Sequence, residues 1–418
     1  MTTTRRTLLA ASAAIPFMPR IPTMPARKIL LIVADDIGWD LWGSSPHPNL
    51  DCISWRVYHR FWAGPRCANA RARLFTGLES WRPQNLMGWG QTENGYTLPV
   101  GAHLLPSRIA AAGRVPVFFG KLHTAEDALT DWPLDAGFAI GGAWTMRNLG
   151  AGLSTGFYDW YSTEGGPLVH QTQYATSYIC EQAEFELSAN EQNFLMVSLH
   201  EAHAPYDLPP ANLAPISFAQ GTPTTDAEIA RAKVEAMDTC LGPILSIAQA
   251  NGYTIIYCSD NGTSAELGGG KETLYESGLC VPLMVAGPGV MNAGSYRLVQ
   301  ITDLHATILE LMGIDAPAQA DSLSFAAHLF GTAPAPRQFL RADKFAPSGS
   351  PPNPMHWGRA VSTPTWKLLD NGTAETPRYE LYDMTSDPTE ATNLYPPATV
   401  AAQSAFSRLV GELPGEQP

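Results

Sequence analysis

Charge and cysteine are both scarce in this chain, and each shortage removes a class of answer. Only 16% of its 418 residues are charged, and acidic residues outnumber basic ones 39 to 26, for a formal net charge of -13. That balance argues against nucleic acid as the main partner. It leaves a small anionic ligand open, because a few cations can dominate one pocket. Six cysteines are too few for a disulfide scaffold at this length, although one or two bridges would fit an exported chain. No Cys-x-x-Cys pair occurs, which removes the common zinc knuckle. No apolar run is long enough to be a membrane span. Gly268-Gly269-Gly270-Lys271 lacks the spacing of a P-loop, and Glu272 follows its lysine. Internal repeats are absent as well.

What remains is the composition of an ordinary globular protein, 45% hydrophobic, long enough for one large domain and a smaller one. Short, nearly continuous apolar runs at Lys28–Ala34, Val115–Phe119, Asn193–Leu199, Tyr253–Cys258 and Leu283–Ala286 predict buried strands. Four of them end in polar residues. Asp35-Asp36 follows the first, and two adjacent carboxylates repel unless a hard cation such as calcium or magnesium joins them. Asp260 and Asn261 follow the fourth and offer further oxygens. Lys121 and His123 close the second run; two residues apart in an extended segment, they face the same way and suit an anion. His200 and His203 follow the third. Pro205 rules out a helix there and no further nitrogen or sulfur ligands cluster nearby, so zinc is a poor reading.

Cys67 follows the turn Gly64-Pro65-Arg66 and opens a predicted helix over Ala68–Phe75. A thiol at a helix N-terminus feels the positive end of the dipole, and Arg71 one turn on adds a cation, so both favour the thiolate. This is the pattern of an activated nucleophile.

Cys67, Arg71, Thr76 and Gly77 resemble the signature of the sulfatase family, Cys-x-Pro-Ser-Arg-x-x-x-Leu-Thr-Gly. Other segments resemble the family in its order: Ile32–Gly38, Pro48–Asp51, Gly120–His123, His203-Ala204-Pro205, Asp260-Asn261, Lys271–Gly278 with Pro282, Asp303–Leu309 and Leu381–Leu394. The resemblance implies an α/β fold with a large, mostly parallel central sheet flanked by helices. A small C-terminal antiparallel sheet and helix complete it. It divides the chain into a catalytic domain over 27–330 and a linker with a small α+β subdomain over 331–418. It implies hydrolysis of a sulfate ester, on a small molecule or a saccharide. Residue 67 is then the nucleophile, converted to formylglycine by a formylglycine-generating enzyme. Arg71 holds the aldehyde hydrate. Lys121, His123 and Lys271 grip the sulfuryl group, and His203 protonates the leaving alcohol. Asp35, Asp36, Asp260, Asn261 and residue 67 surround one divalent cation, calcium. The Asp-Asn pair favours one hard ion, because two-zinc relatives carry histidine there.

One departure from the signature matters: Asn69 stands where the family has proline or alanine. The modifying enzymes read that position, so conversion of Cys67 stays open. Two other readings stay open with it, a phosphonate or phosphate ester hydrolase using the same site and a catalytically silent binding protein. Substrate specificity is expected from the aromatic loops 81–96 and 144–161. Thr4-Arg5-Arg6-Thr7-Leu8-Leu9, the apolar residues to Met18 and a small-residue site near Ala26 resemble a twin-arginine signal, which implies periplasmic or secreted protein.

Overall fold

The computed structural model describes residues 26–88, 95–189, 193–219, 221–315, 321–349, 358–372 and 376–414. Residues 1–25 of the expected signal segment, and residues 89–94 of the first expected specificity loop, lie outside them.

Ile29–Ala34 has no polar side chain, and its six residues are wholly buried in an eight-stranded sheet. Side chains alternate across a strand. Ile29, Leu31 and Val33 therefore enter one apolar layer, with Phe75, Ile301, Leu304 and Ile308. Leu30, Ile32 and Ala34 enter the other, with Ile179, Ala183, Leu241 and Ile244. Helices Cys67–Thr76 and Ile301–Leu311 cover the first face, and Ala175–Ala189 and Asp226–Ala250 the second. A strand buried on both sides has no solvated face, which is why its sequence reads as a continuous apolar run.

Across the sheet the strands are Ala293–Ser295, Arg56–Tyr58, Leu283–Ala286, Thr254–Ser259, Ile29–Ala34, Phe194–Ser198, Pro116–Lys121 and Ile140–Thr145. Leu283–Ala286 runs against both its neighbours, and the rest share one direction. The expected α/β fold with a mostly parallel sheet is observed. The four strands that end in candidate site residues are consecutive neighbours in this sheet, so their polar ends converge.

A four-stranded antiparallel sheet follows, in the order Leu340–Lys344, Gly358–Ser362, Trp366–Asp370 and Tyr379–Asp383. Helix Val400–Val410 packs Ala402 and Leu409 against Val361, Leu368 and Leu381 on one face. On the other face Ala342, Ala360 and Leu369 meet Trp62, Leu274 and Leu279 of the large unit. The stretch 331–358, expected as linker or surface loop, thus contributes a strand at 340–344. Leu340 and Ala342 are that strand's only apolar residues, and they read as strand only once a neighbouring strand pairs with them.

Candidate active site

Asp35 and Asp36 leave the end of the central strand, and the neighbouring chain ends are stitched to it. Asp35 N–H donates to Glu201 O at 2.7 Å and Asp260 N–H to Ala34 O at 3.1 Å. Asp36 has φ of +60°, an uncommon conformation for a non-glycine residue, of a kind concentrated at functional sites. Its neighbour across the cleft is Cys67, the first residue of the Cys67–Thr76 helix. Cys67 Sγ lies 3.2 Å from Asp35 Oδ1 and 3.9 Å from Asp36 Oδ1. Ligand atoms of Asp35, Asp36, Cys67 and Asp260 all fall within 4.8 Å of one another, and all four residues are buried.

Three cations face these three carboxylates. Lys121 Nζ contacts Asp35 Oδ2, and Lys271 Nζ lies 2.7 Å from the Asp36 carboxylate. Arg71 spans the cluster: Nε donates to Asp260 Oδ2 at 2.9 Å, and NH1 to Lys121 O at 2.8 Å and to Ser198 Oγ. Arg71 NH2 is buried with no hydrogen-bond partner among the described residues. The six charges cancel, so a divalent cation would leave the pocket net positive and suited to an anion.

The donor set fits a hard cation. Besides the three carboxylates, Asn261 gives its amide N–H to Asp36 Oδ1 at 2.6 Å, while its Oδ1 is buried without a partner among the described residues. A buried acceptor left unpaired is costly unless something else meets it. Sulfur at position 67 is the poor member of the set, because thiolates prefer softer metals.

Protonation here follows burial and charge together. Burial opposes the Asp35 anion, but Lys121, His203, Arg71 and Lys271 outweigh it and hold Asp35 well below the usual carboxylate range. Asp260 is pushed up to about 7 by burial and by Asp35, against Arg71 and Lys121. Burial, then Asp35, raises the Cys67 thiol well above its ordinary value. This corrects the expectation from helix dipole and Arg71. The helix end does meet Cys67, but desolvation and a carboxylate 3.2 Å away oppose the thiolate more strongly.

The histidines separate into different settings. His203 Nδ1 donates to Ala204 O at 2.6 Å, which leaves Nε2 facing Asp36 at 4.0 Å. Burial lowers His203 to about 4, with Asp36 pulling the other way. It is therefore neutral near pH 7 until a bound anion favours its charged form. His200 Nε2 pairs with Thr145 Oγ1 at 2.8 Å, a contact that holds the ring to the strand Ile140–Thr145. His123 is buried, and its Nδ1 has no partner among the described residues. Burial, then Lys121 and Arg71, hold it well below its ordinary value.

Lys121 and His123 do reach the same cluster, but not by the expected strand alternation. The strand bulges between Phe119 and Lys121, Gly120 has φ of +95° and His123 has φ of +61°. A Cβ at Gly120 would sit 2.0 Å from Ser198 O, so only glycine fits.

Asp35, Asp36, Cys67, Arg71, Lys121, His203, Asp260, Asn261 and Lys271 meet in this cluster, and His123 is buried where it feels the charges of Lys121, Arg71 and Asp35. Ser198, which joins Arg71 to the Lys121 carbonyl, was not singled out from the sequence. Neither was Lys233, on the buried face of the Asp226–Ala250 helix. The helix start at least was detectable, because Thr225 and Glu228 form a capping box. Asn69 also acquires a role: its Nδ2 donates to Met87 O at 2.9 Å and Gly88 O at 3.0 Å, tying the helix headed by Cys67 to the following loop.

Comparison with known proteins agrees with this geometry. The sulfatase family matches residues 27–314, and the C-terminal domain of N-sulphoglucosamine sulphohydrolase matches residues 270–413. N-acetylgalactosamine-6-sulfatase of Homo sapiens is 29% identical over 336 residues, covering 70% of this chain. The chain spans only 63% of that relative's length. Choline-sulfatase of Rhizobium meliloti (strain 1021) is 23% identical, over 88% of this chain and 82% of its own. Among solved structures, Ps i-CgsB in complex with k-i-k-neocarrahexaose superposes with a TM-score of 0.76 at 17% identity, covering 93% of this chain and 92% of its own. BT4656, in complex with its substrate D-glucosamine-2-N,6-O-disulfate, gives 0.73 at 18%, covering 93% and 97%. With the family match spanning more than half of the residues and the carboxylates, cysteine and cations gathered at the strand ends, the chain belongs to the sulfatase family.

Proposed function

We propose that this protein hydrolyses a sulfate ester, with residue 67 as the nucleophile. The observation that carries this reading is the meeting of Cys67, at its helix N-terminus, with three carboxylates, the unpaired Asn261 Oδ1 and three cations. Asp35, Asp36, Asp260 and Asn261 would hold one divalent cation, calcium by the hardness of the oxygens. When bound, that ion polarises a sulfuryl oxygen and balances the carboxylates. Residue 67 acts after conversion to formylglycine by a generating enzyme, which also replaces the ill-suited sulfur with oxygen.

Lys121, His123 and Lys271 neutralise charge on the sulfuryl oxygens. One hydroxyl of hydrated residue 67, oriented by Arg71, gives its proton to a carboxylate of the cluster and forms the new bond to sulfur while the ester S–O bond breaks. His203 gives the leaving oxygen a proton from Nε2, the nitrogen turned towards the cluster. The second hydroxyl then passes its proton to the now neutral His203, the C–O bond to sulfate breaks, and the aldehyde returns and adds water to restore the hydrate. By analogy with the sugar-sulfate relatives, we assign a sulfated saccharide as the substrate class. Export by the twin-arginine route is part of the same reading. No described helix is long and apolar enough to cross a membrane.

Initial rates on an aryl sulfate, a phosphate diester and a phosphonate monoester, measured side by side, test the activity. Faster turnover of either phosphorus ester would reassign the reaction. Replacing His203 by alanine is expected to slow an unactivated alkyl sulfate about 100-fold, and an aryl sulfate with a good leaving group far less. Equal losses on both would remove the general-acid role.

Asn69 makes a further prediction. Proline is tolerated in the first turn of a helix. Asn69→Pro restores the family residue but removes two buried hydrogen bonds, worth about 2 kcal/mol together. In a host with a generating enzyme, the aldehyde fraction at residue 67 should rise while resistance to denaturant falls. An unchanged aldehyde fraction would show that Asn69 does not limit conversion.

A further inference from the structure

A single lysine lies fully buried beneath the loop that carries His203. Lys233 sits on the Asp226–Ala250 helix among Ile229, Ala230, Ala232, Val234 and Met237, and it is 0% exposed. Its Nζ donates to His203 O at 2.6 Å and to Pro205 O at 2.9 Å. The ammonium also lies 3.7 Å from the Phe157 ring centroid and 5.7 Å from that of Tyr206. Glu201 on the same loop is equally buried, accepts from Tyr174 Oη at 3.1 Å and from Thr176 Oγ1, and supplies opposing charge.

The helix is a firm base for such a clamp. Two more of its buried acids hold other segments: Glu235 accepts from Ile216 N and Ser217 N, both at 2.7 Å, and Asp238 from Asn49 N and Leu50 N, both at 2.8 Å. We infer that Lys233 is a positioning residue for His203: by gripping the carbonyls of residues 203 and 205 it fixes where the imidazole stands over the carboxylate cluster. This rests on His203 being the proton donor proposed above. Lys233 makes its hydrogen bonds to the loop, and its charge acts on Asp35 and Asp36 only from a distance, so its contact with the site runs through the loop.

Lys233 also contributes to stability, because removing it leaves Glu201 and the carbonyls of His203 and Pro205 buried without their partner; positioning is separated from stability by how the catalytic loss depends on the leaving group. Methionine has nearly the same length. If Lys233 only fills space, Lys233→Met leaves catalysis intact. If it positions His203, the fold survives and proton delivery suffers.

The test compares wild type, Lys233→Met, His203→Ala and the double variant on an alkyl sulfate and on an aryl sulfate with a good leaving group. For Lys233→Met we expect a lowered melting temperature, a native fold at the assay temperature and KM within about 2-fold. We expect kcat on the alkyl sulfate to fall about 10- to 100-fold, as for a misplaced catalytic group, and on the aryl sulfate to stay within about 3-fold. The double variant should be no slower than His203→Ala. Equal losses on both esters, or losses that multiply in the double variant, would overturn the inference. A leaving-group-dependent loss in His203→Ala with none in Lys233→Met sinks the lysine's role alone. No loss in His203→Ala sinks the proton-donor reading and the lysine's role together. Should Lys233→Met fail to fold, Lys233→Gln, which keeps a donor but not the charge, is read by the same criteria.

Discussion

Replacing Cys67 by alanine is expected to lower turnover by about 10⁴-fold or more, as removal of a nucleophile does in other covalent hydrolases. The side chain is buried at the head of its helix, within 3.9 Å of both Asp35 and Asp36. As a thiol it is a poor nucleophile, because burial and Asp35 keep it protonated at neutral pH. Activity should therefore track the fraction of chains carrying the aldehyde. Peptide mass spectrometry on protein from its native host, set beside the specific activity of the same preparation, measures this. A preparation with free thiol throughout and full activity would exclude formylglycine chemistry. If Cys67→Ala were then also fully active, residue 67 would have no part in the reaction.

Asp260→Ala should abolish ion binding and lower turnover at least about 10³-fold. It removes one carboxylate from an oxygen shell and also strips Arg71 of the partner 2.9 Å from Nε. Asp260→Asn separates the two effects: it keeps an oxygen and the shape but removes the charge, and should retain weakened binding. The pH dependence has a definite sign. Asp260 takes up a proton as pH falls through about 7, and an ion must displace that proton to bind. Affinity for calcium should therefore be greatest above that pH and decline below it. Calorimetric titration with calcium at several pH values measures this. An affinity that rises as pH falls would contradict the placement of Asp260 in the ion's shell. Two zinc ions per chain in metal analysis would overturn the single hard cation.

The site was legible in the sequence where its elements are local. A strand buried on both faces must be apolar throughout, so polar residues directly after it stand out; this drew attention to Asp35, Asp36, Lys121, Asp260 and Asn261, and the resemblance to the sulfatase family decided their reading and selected His203. A turn followed by helix formers likewise placed Cys67 at a helix end. The small C-terminal sheet was harder to read. Residues 340–344 look like loop because their strand character comes from Gly358–Ser362 beside them.

Tertiary structure alone decided what these residues do to one another. Arg71 and Asp260 are 189 residues apart in the chain and 2.9 Å apart in space. Lys233 meets His203 and Pro205 from a helix whose sequence advertises only burial. The thiol's protonation depends on desolvation and on Asp35, 32 residues upstream, and outweighs the helix dipole that the local sequence suggested. Local patterns report backbone conformation and burial, since both act over a few residues. Charge balance, orphaned polar atoms and proton affinity are set by whichever side chains the fold brings within about 4 Å, where an unscreened pair is strongest.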